Sequence, residues 1–67
     1  MKENFYVNNE LNKLRLERGL SREKLAARCG ISSKTIQRAE KGEKVRIYSI
    51  EKIATGLCID KHKLIDM

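Results

Sequence analysis

The chain has 67 residues, so it forms at most one small domain and cannot bury a large core. It has no proline, four glycines and few aromatic residues, and its apolar positions are mostly Leu, Ile and Ala, which favours helices over sheet. A formal net charge of +6 attracts polyanions, either nucleic acid or an anionic membrane surface, although an excess of lysine and arginine can also serve solubility alone.

The cysteine and hydropathy patterns bear on metals and location. Cys29 and Cys58 have no companion Cys or His residues at zinc-ligand spacing, so we expect no metal site and no cofactor. Residues 1–4 lead into no signal-peptide apolar run, and no stretch is long and apolar enough to cross a membrane. We therefore expect the chain in the reducing cytoplasm, with free buried thiols that pack as small hydrophobic groups.

The first predicted elements are an arm and a helix. Residues 1–7 have no clear period, and we expect them to form a partly docked N-terminal arm ahead of a domain of residues 8–67. A first helix over 8–18 is predicted because apolar residues recur at i, i+4 and i+7, namely at Val7, Leu11 and Leu14. Gly19 follows, at the position where a left-handed residue closes a helix.

A repeated pattern marks three more helix starts. An apolar residue precedes a good N-cap, and another apolar residue follows four positions after it, which is a hydrophobic staple joined to a cap. The caps are Ser21, Ser32 and Asp60, and they predict helices over 22–29, 33–41 and 61–66. An apolar face predicts one further helix over 47–57, after a short charged loop. The predicted fold class is therefore all-α, with five short helices.

The segment 21–42 is predicted to be a helix-turn-helix, since two amphipathic helices flank a tight turn around Gly30. The outward face of its second helix carries side chains that can read base edges, namely Ser33, Lys34, Gln37 and Arg38. The alternative is an ordinary solvated polar face. We favour a base-reading surface because this helix has only two inward apolar residues, Ile36 and Ala39, so most of its length projects outward.

Cations flank this strip and suggest contacts to DNA phosphates. Arg22 begins the second helix, Lys41 ends the third, and Lys44 and Arg46 follow in the loop. Each of them alone is more simply an ordinary surface cation. As a group beside one strip, they predict the phosphate-binding part of an interface with double-stranded DNA.

The chain resembles one known family, the Cro and phage-repressor type (XRE-family) helix-turn-helix domain. The resemblance lies in 14–26 (LRLERGLSREKLA), 30–36 (GISSKTI), 40–42 (EKG), 53–54 (IA) and 57–64, and covers about residues 9–65. It implies a compact five-helix lambda-repressor-like domain of a transcriptional regulator. It also implies a homodimer, at least on DNA, bound to a two-fold operator.

The resemblance implies roles for individual residues as well. Ser33, Lys34 and Arg38 fall at base-reading positions, with Gln37 alongside. Arg22 replaces a Gln that commonly clamps a phosphate in this family, and Lys41 falls at another phosphate contact.

Two further residues, Arg15 and Glu40, match a pair that the family often joins in a salt bridge between the first helix and the end of the third. Cys58 stands where a Gly commonly ends the fourth helix, so we expect that helix to end differently, near Gly56.

The leading function is a sequence-specific DNA-binding transcriptional regulator, and a repressor is favoured. The alternative is an antitoxin or another protein-interaction module that also binds DNA.

An enzyme is not expected, because His62 lies among lysines in a predicted helix and neither cysteine has an obvious orienting partner. Membrane binding is not expected, since no helix joins a basic face to a large aromatic one. A dimer contact is expected at the C-terminus, unless its apolar residues pack on the first helix instead: Leu64, Ile65 and Met67.

Overall fold

The computed structural model describes residues 4–65, which form four α-helices and a two-stranded antiparallel ribbon around one core. The elements in chain order are β1 (Asn4–Tyr6), α1 (Glu10–Glu17), α2 (Arg22–Cys29), α3 (Ser33–Glu40), β2 (Lys44–Arg46), α4 (Ile47–Leu57) and a 3-10 turn (Lys61–Lys63).

Every α-helix contributes at least one fully enclosed side chain to the core, and so does the C-terminal segment. The largest of these are Leu11, Leu25, Ile36, Ile50, Ile53, Leu57, Leu64 and Ile65. Helices α2, α3 and α4 form the centre of the packing. The core therefore holds the pair α2–α3 from behind and leaves one side of α3 facing solvent.

The helix-turn-helix is confirmed, and its parts follow from local hydrogen bonds. The side chain of Ser21 accepts from the Lys24 amide at 3.1 Å, and that of Ser32 accepts from the Thr35 amide at 3.3 Å. Each hydroxyl thus satisfies an amide that the first helical turn leaves unpaired. Between the helices Gly30 has φ +74°, a left-handed conformation that glycine adopts without strain and that redirects the chain.

The prediction of a purely all-α fold is wrong, because the ends of two predicted irregular segments pair as strands. Phe5 of β1 lies opposite Val45 of β2 in antiparallel register. Phe5 packs against the core and Val45 is buried, while their strand neighbours are exposed. Part of the N-terminal arm is therefore built into the fold, and two three-residue strands are too short to show the alternation that signals a strand.

The predicted fifth helix is also wrong, since residues 61–63 form a single 3-10 turn. Asp60 does act as the predicted cap, since its carboxylate accepts from the His62 amide at 2.8 Å, but the turn that it starts does not continue as an α-helix. The carbonyls of Lys63 and Leu64 then accept from the side chain and the backbone of Asn8. These bonds tie the C-terminal segment to the start of α1.

The C-terminal dimer contact expected from the sequence is not available at its two described residues. Leu64 and Ile65 are both enclosed in the core of the monomer. The simpler reading of these apolar residues, internal packing, is therefore correct. Met67 and the last predicted position of the fifth helix lie outside the described residues.

The end of α4 corrects another expectation. The helix passes Gly56 and ends at Leu57, and Cys58 adopts the left-handed conformation with φ +59°. Gly56 lies inside the helix because α2 approaches closely there: a Cβ on it would lie 3.2 Å from the Cα of Cys29 and would overlap the Cys29 thiol. The glycine thus serves helix packing rather than helix termination.

We predict that Cys58→Gly stabilises the domain by about 1 kcal/mol, because glycine enters the left-handed region without the steric cost of a Cβ atom. Urea unfolding followed by circular dichroism measures the change. Cys58→Ala is the matched control, since it removes the thiol but keeps the Cβ, and it should change the free energy of unfolding by less than about 0.5 kcal/mol. Equal effects of the two substitutions would contradict the backbone explanation.

Candidate nucleic-acid interface

The solvent side of α3 carries the strip expected from the sequence. Ser33, the first residue of α3, is half-buried, whereas Lys34, Gln37 and Arg38 are exposed. Ile36 and Ala39 lie in the core on the opposite side, so they fix the rotation of the helix. The strip is therefore presented outward as one continuous polar surface of a rigid element.

The charge on this side of α3 is one-sided. Lys34, Arg38 and Lys41, the C-cap residue, are exposed, and among residues 4–65 Lys34 and Lys41 take part in no salt bridge. The one acidic residue of α3, Glu40, has a side chain that is only 4% exposed and is already paired. The exposed part of the helix thus offers cations with no competing exposed carboxylate of its own.

A polar cleft of about 390 Å³ separates α3 from the ribbon and continues the basic surface. Its lining contains three cations and no carboxylate: Asn4, Thr35, Arg38, Lys44, Val45, Arg46 and Ser49. The fold therefore brings Arg38 of the strip together with Lys44 and Arg46, which the sequence placed in a loop. Hydroxyl, amide, ammonium and guanidinium groups are the donors from which phosphate oxygens accept hydrogen bonds.

Sequence reasoning missed the contribution of the ribbon to this surface. The Nζ atom of Lys44 lies 5.3 Å from the centre of the Tyr6 ring, so an exposed aromatic ring of β1 holds a cation of β2. The cleft is also lined by three residues for which no sequence pattern indicated a binding role: Asn4 of β1, Thr35 of α3 and Ser49 of α4. The one signal in the sequence was the adjacent aromatic pair of the arm, Phe5 and Tyr6, and this pair did not indicate which segment β1 would pair with.

Glu40 is the acceptor of a hydrogen-bond cluster that joins three helices. Arg15 Nε of α1 donates to Glu40 Oε2 at 2.6 Å, and Arg15 Nη2 donates to Oε1 at 3.3 Å. Arg22 Nε of α2 donates to Oε1 at 3.0 Å, and the Asn12 side-chain amide donates to the same atom at 3.4 Å. Arg15 also donates from Nη1 to the Leu20 carbonyl at 2.8 Å, which ties the connection between α1 and α2.

The electrostatics of Glu40 follow from this cluster. Burial would by itself raise the pKa of the carboxyl. The hydrogen bonds from Arg15 and Arg22, the charge of Arg15 and the hydrogen bond from Asn12 outweigh it, so the pKa of Glu40 is lowered. The carboxylate is therefore ionised at neutral pH despite being almost fully enclosed.

Arg22 does not stand alone at the start of α2, where the sequence placed a phosphate clamp. Its Nε is held by Glu40, while 48% of its side chain remains exposed. Neither terminal amino group has a hydrogen-bond partner among residues 4–65. The guanidinium is thus anchored at one edge and open at the other.

Among residues 4–65 the other titratable groups form no comparable cluster. The Cys29 thiol is buried near the Ile53 carbonyl, and burial raises its pKa even though Arg28 opposes the shift, so it packs as an apolar group. Cys58 is a free thiol too, but it is exposed rather than buried as expected.

Within residues 4–65 there is no group of three or more acidic, His or Cys side chains that could hold a metal ion. No helix in that range is long and apolar enough to cross a membrane.

Comparison with known proteins agrees with this geometry. A family model described as helix-turn-helix, HTH_3, matches residues 11–60. The chain is similar to the crystal structure of a hypothetical transcription factor, NHTF, from Neisseria, with 27% identity and a TM-score of 0.74, over 82% of this chain and 64% of that one. It is also similar to an HTH_3 family transcriptional regulator from Vibrio cholerae, with 36% identity and a TM-score of 0.74, over 82% of this chain and 32% of that one. The chain thus spans less than two thirds of each of these two proteins. No match was found among curated proteins.

We predict that Glu40→Gln lowers the free energy of unfolding at pH 7 by about 2–3 kcal/mol, because it leaves the buried Arg15 guanidinium without a countercharge. The pKa of Glu40 is lower in the folded than in the unfolded state, so its stabilisation is complete above the unfolded pKa and is lost as the pH falls through the folded value. The difference between wild type and variant should therefore shrink below about pH 4.3.

Urea unfolding at a series of pH values measures this difference. Glu43→Gln is the matched control, since Glu43 is exposed and has no ion-pair partner among residues 4–65. It should change stability by less than about 0.5 kcal/mol. A gap between wild type and Glu40→Gln that persists unchanged into strong acid would contradict the assignment of the effect to the carboxylate.

Proposed function

The chain belongs to the helix-turn-helix family HTH_3, and we propose that it is a sequence-specific double-stranded DNA-binding transcriptional regulator that reads the major groove with α3. The observation that carries the proposal is the exposed basic side of α3, which has no exposed acid and continues into the basic cleft. The two similar proteins are named as a hypothetical transcription factor and a transcriptional regulator, which supports the same class.

In this proposal the base edges are read by the strip on α3. Arg38 and Lys34 donate to guanine O6 and N7, Gln37 pairs with adenine, and Ser33 bonds to either partner of a base pair. The core residues Ile36 and Ala39 hold the helix so that these side chains enter the groove together. A strip on a rigid helix gives the fixed geometry that bidentate base contacts need.

Phosphates on either side of the groove are held by flanking cations. Lys41 at the end of α3, Arg22 at the start of α2, and Lys44 and Arg46 on β2 are all exposed at least in part, which supports this role. Such contacts set affinity and orientation, whereas the strip sets sequence preference.

We further propose that the protein is cytoplasmic, and that two copies bind a two-fold operator and thereby repress transcription. One small domain presents a single reading helix, so two copies are needed to cover two half-sites about one helical turn apart. Occupying an operator is sufficient for repression and needs no surface beyond the DNA interface. The free thiols fit a reducing compartment.

Selection of bound sequences from random duplex DNA tests this function directly. A motif with two-fold symmetry is the expected result. Binding with no enriched sequence would contradict a sequence-specific regulator.

We predict that Arg38→Ala weakens binding to the selected site by about 1–3 kcal/mol and relaxes the preference at one base pair. Fluorescence anisotropy with the selected duplex and its single-base variants measures both effects. Lys63→Ala is the control, because Lys63 is an exposed cation of the C-terminal turn, outside the proposed interface. An equal loss on all sequences would show that Arg38 contacts phosphate instead of a base.

We predict that Lys41→Ala weakens binding to all sequences by the same factor and flattens the dependence of log K on log salt by about one unit, as expected for a lost phosphate contact. Titrations of the selected and a scrambled duplex at several salt concentrations measure the slope. An unchanged slope would remove Lys41 from the interface.

A further inference from the structure

We propose that Glu40, an acidic residue, raises the affinity of this protein for DNA by positioning Arg22 on a backbone phosphate. The inference rests on the proposed function and deepens it, because it assigns to the carboxylate a role in binding in addition to its bond with Arg15. Arg22 touches the phosphate, and Glu40 acts through it as a positioning residue.

The first step concerns which edge of the guanidinium is occupied. Arg22 donates to Glu40 Oε1 through Nε alone, at 3.0 Å. Because the guanidinium is planar and its donors diverge in fixed directions, a bond at Nε leaves the two terminal amino groups on the remaining edges. Those groups have no partner among residues 4–65, and about half of the side chain is exposed. The open edge has the fork geometry that donates to two oxygens of one phosphate.

The second step concerns the rigidity of the anchor. The Glu40 side chain is almost fully enclosed and receives two hydrogen bonds from Arg15 and one from Asn12. The bonds from Arg15 and Asn12 therefore hold the carboxylate in place without any contribution from Arg22. A long arginine side chain bound to a fixed acceptor loses its rotamer freedom during folding instead of during DNA binding, and this preorganisation increases affinity.

The third step concerns charge. An acid near a DNA-binding surface normally weakens binding, because it repels phosphates. Glu40 is shielded from this effect, since it is enclosed and lies between two arginines at 2.6 Å and 3.0 Å. The Arg15–Glu40–Arg22 cluster keeps one net positive charge, and Arg22 is the member whose side chain is exposed to a large extent.

The sign of one substitution separates this inference from simple charge. Glu40→Gln removes a negative charge and raises the formal net charge of +6 by one, so electrostatics alone predicts tighter binding. We expect instead that DNA affinity falls by about two- to tenfold, the cost of ordering one long side chain on binding. Glu23→Gln is the matched control: Glu23 is exposed, is adjacent to Arg22 and has no ion pair among residues 4–65, and its loss should leave affinity unchanged or slightly higher.

A double-mutant cycle separates positioning from general damage to the fold. Arg22→Ala should weaken binding and flatten the salt dependence by about one unit. Adding Glu40→Gln to Arg22→Ala should then cause no further loss, because the residue that Glu40 positions is gone. An equal loss in both backgrounds would overturn the proposal, since the effect would then come from the fold.

The measurement is anisotropy with a random-sequence duplex at low salt, on protein whose circular dichroism shows it to be folded. If Glu40→Gln does not fold, Arg22→Lys decides. It keeps the charge, but its single ammonium cannot stay on Glu40 and also present a fork, so we expect affinity to fall by about two- to tenfold, as for Glu40→Gln. Wild-type affinity in Arg22→Lys, or tighter binding by folded Glu40→Gln, would overturn the inference and leave the proposed function intact. Absence of duplex binding by the wild-type protein would overturn both.

Discussion

The enclosed carboxylate of Glu40 is the interaction on which the arrangement of the first three helices depends. Enclosing one charge costs several kcal/mol unless its partners compensate, and here donors from α1 and α2 supply the compensation. Hydrophobic contacts accept many small shifts between helices, but a guanidinium–carboxylate bond at 2.6 Å accepts few. The crossing of α1 against α3 is therefore fixed by a directional bond in addition to packing.

The same carboxylate also links the core to the exposed surface. Glu40 ends the helix that carries the polar strip, and its other partner, Arg22, begins the helix that supports it. The stability of the domain and the presentation of its cations are thus not independent properties. A small domain with little free energy of folding to spare can use one bond for both, because the bond lies where the core meets the proposed interface.

Local patterns predicted the parts of this fold that are local in origin. Ser21 and Ser32 act as caps, and Gly30 turns the chain, because each depends only on neighbours within a few residues. The ribbon was missed because it pairs Phe5 with Val45, forty positions apart, and neither strand is long enough to show a period. The same reason explains Arg22: no spacing in the sequence indicates that Glu40 would reach it, since that distance depends on how α2 and α3 cross.

The ribbon also explains why the basic cleft has a definite shape. An isolated pair of three-residue strands is not stable in water, so β1 and β2 hold together only because Phe5 and Val45 pack on the core. The ribbon, which forms one wall of the cleft, is therefore positioned by the core. The same core holds Ile36 and thereby positions α3, which forms the other wall. The separation of Arg38 from the cations of β2 is consequently a property of the packing. The N-terminal strand β1, which pairs with β2, helps to determine where those cations lie.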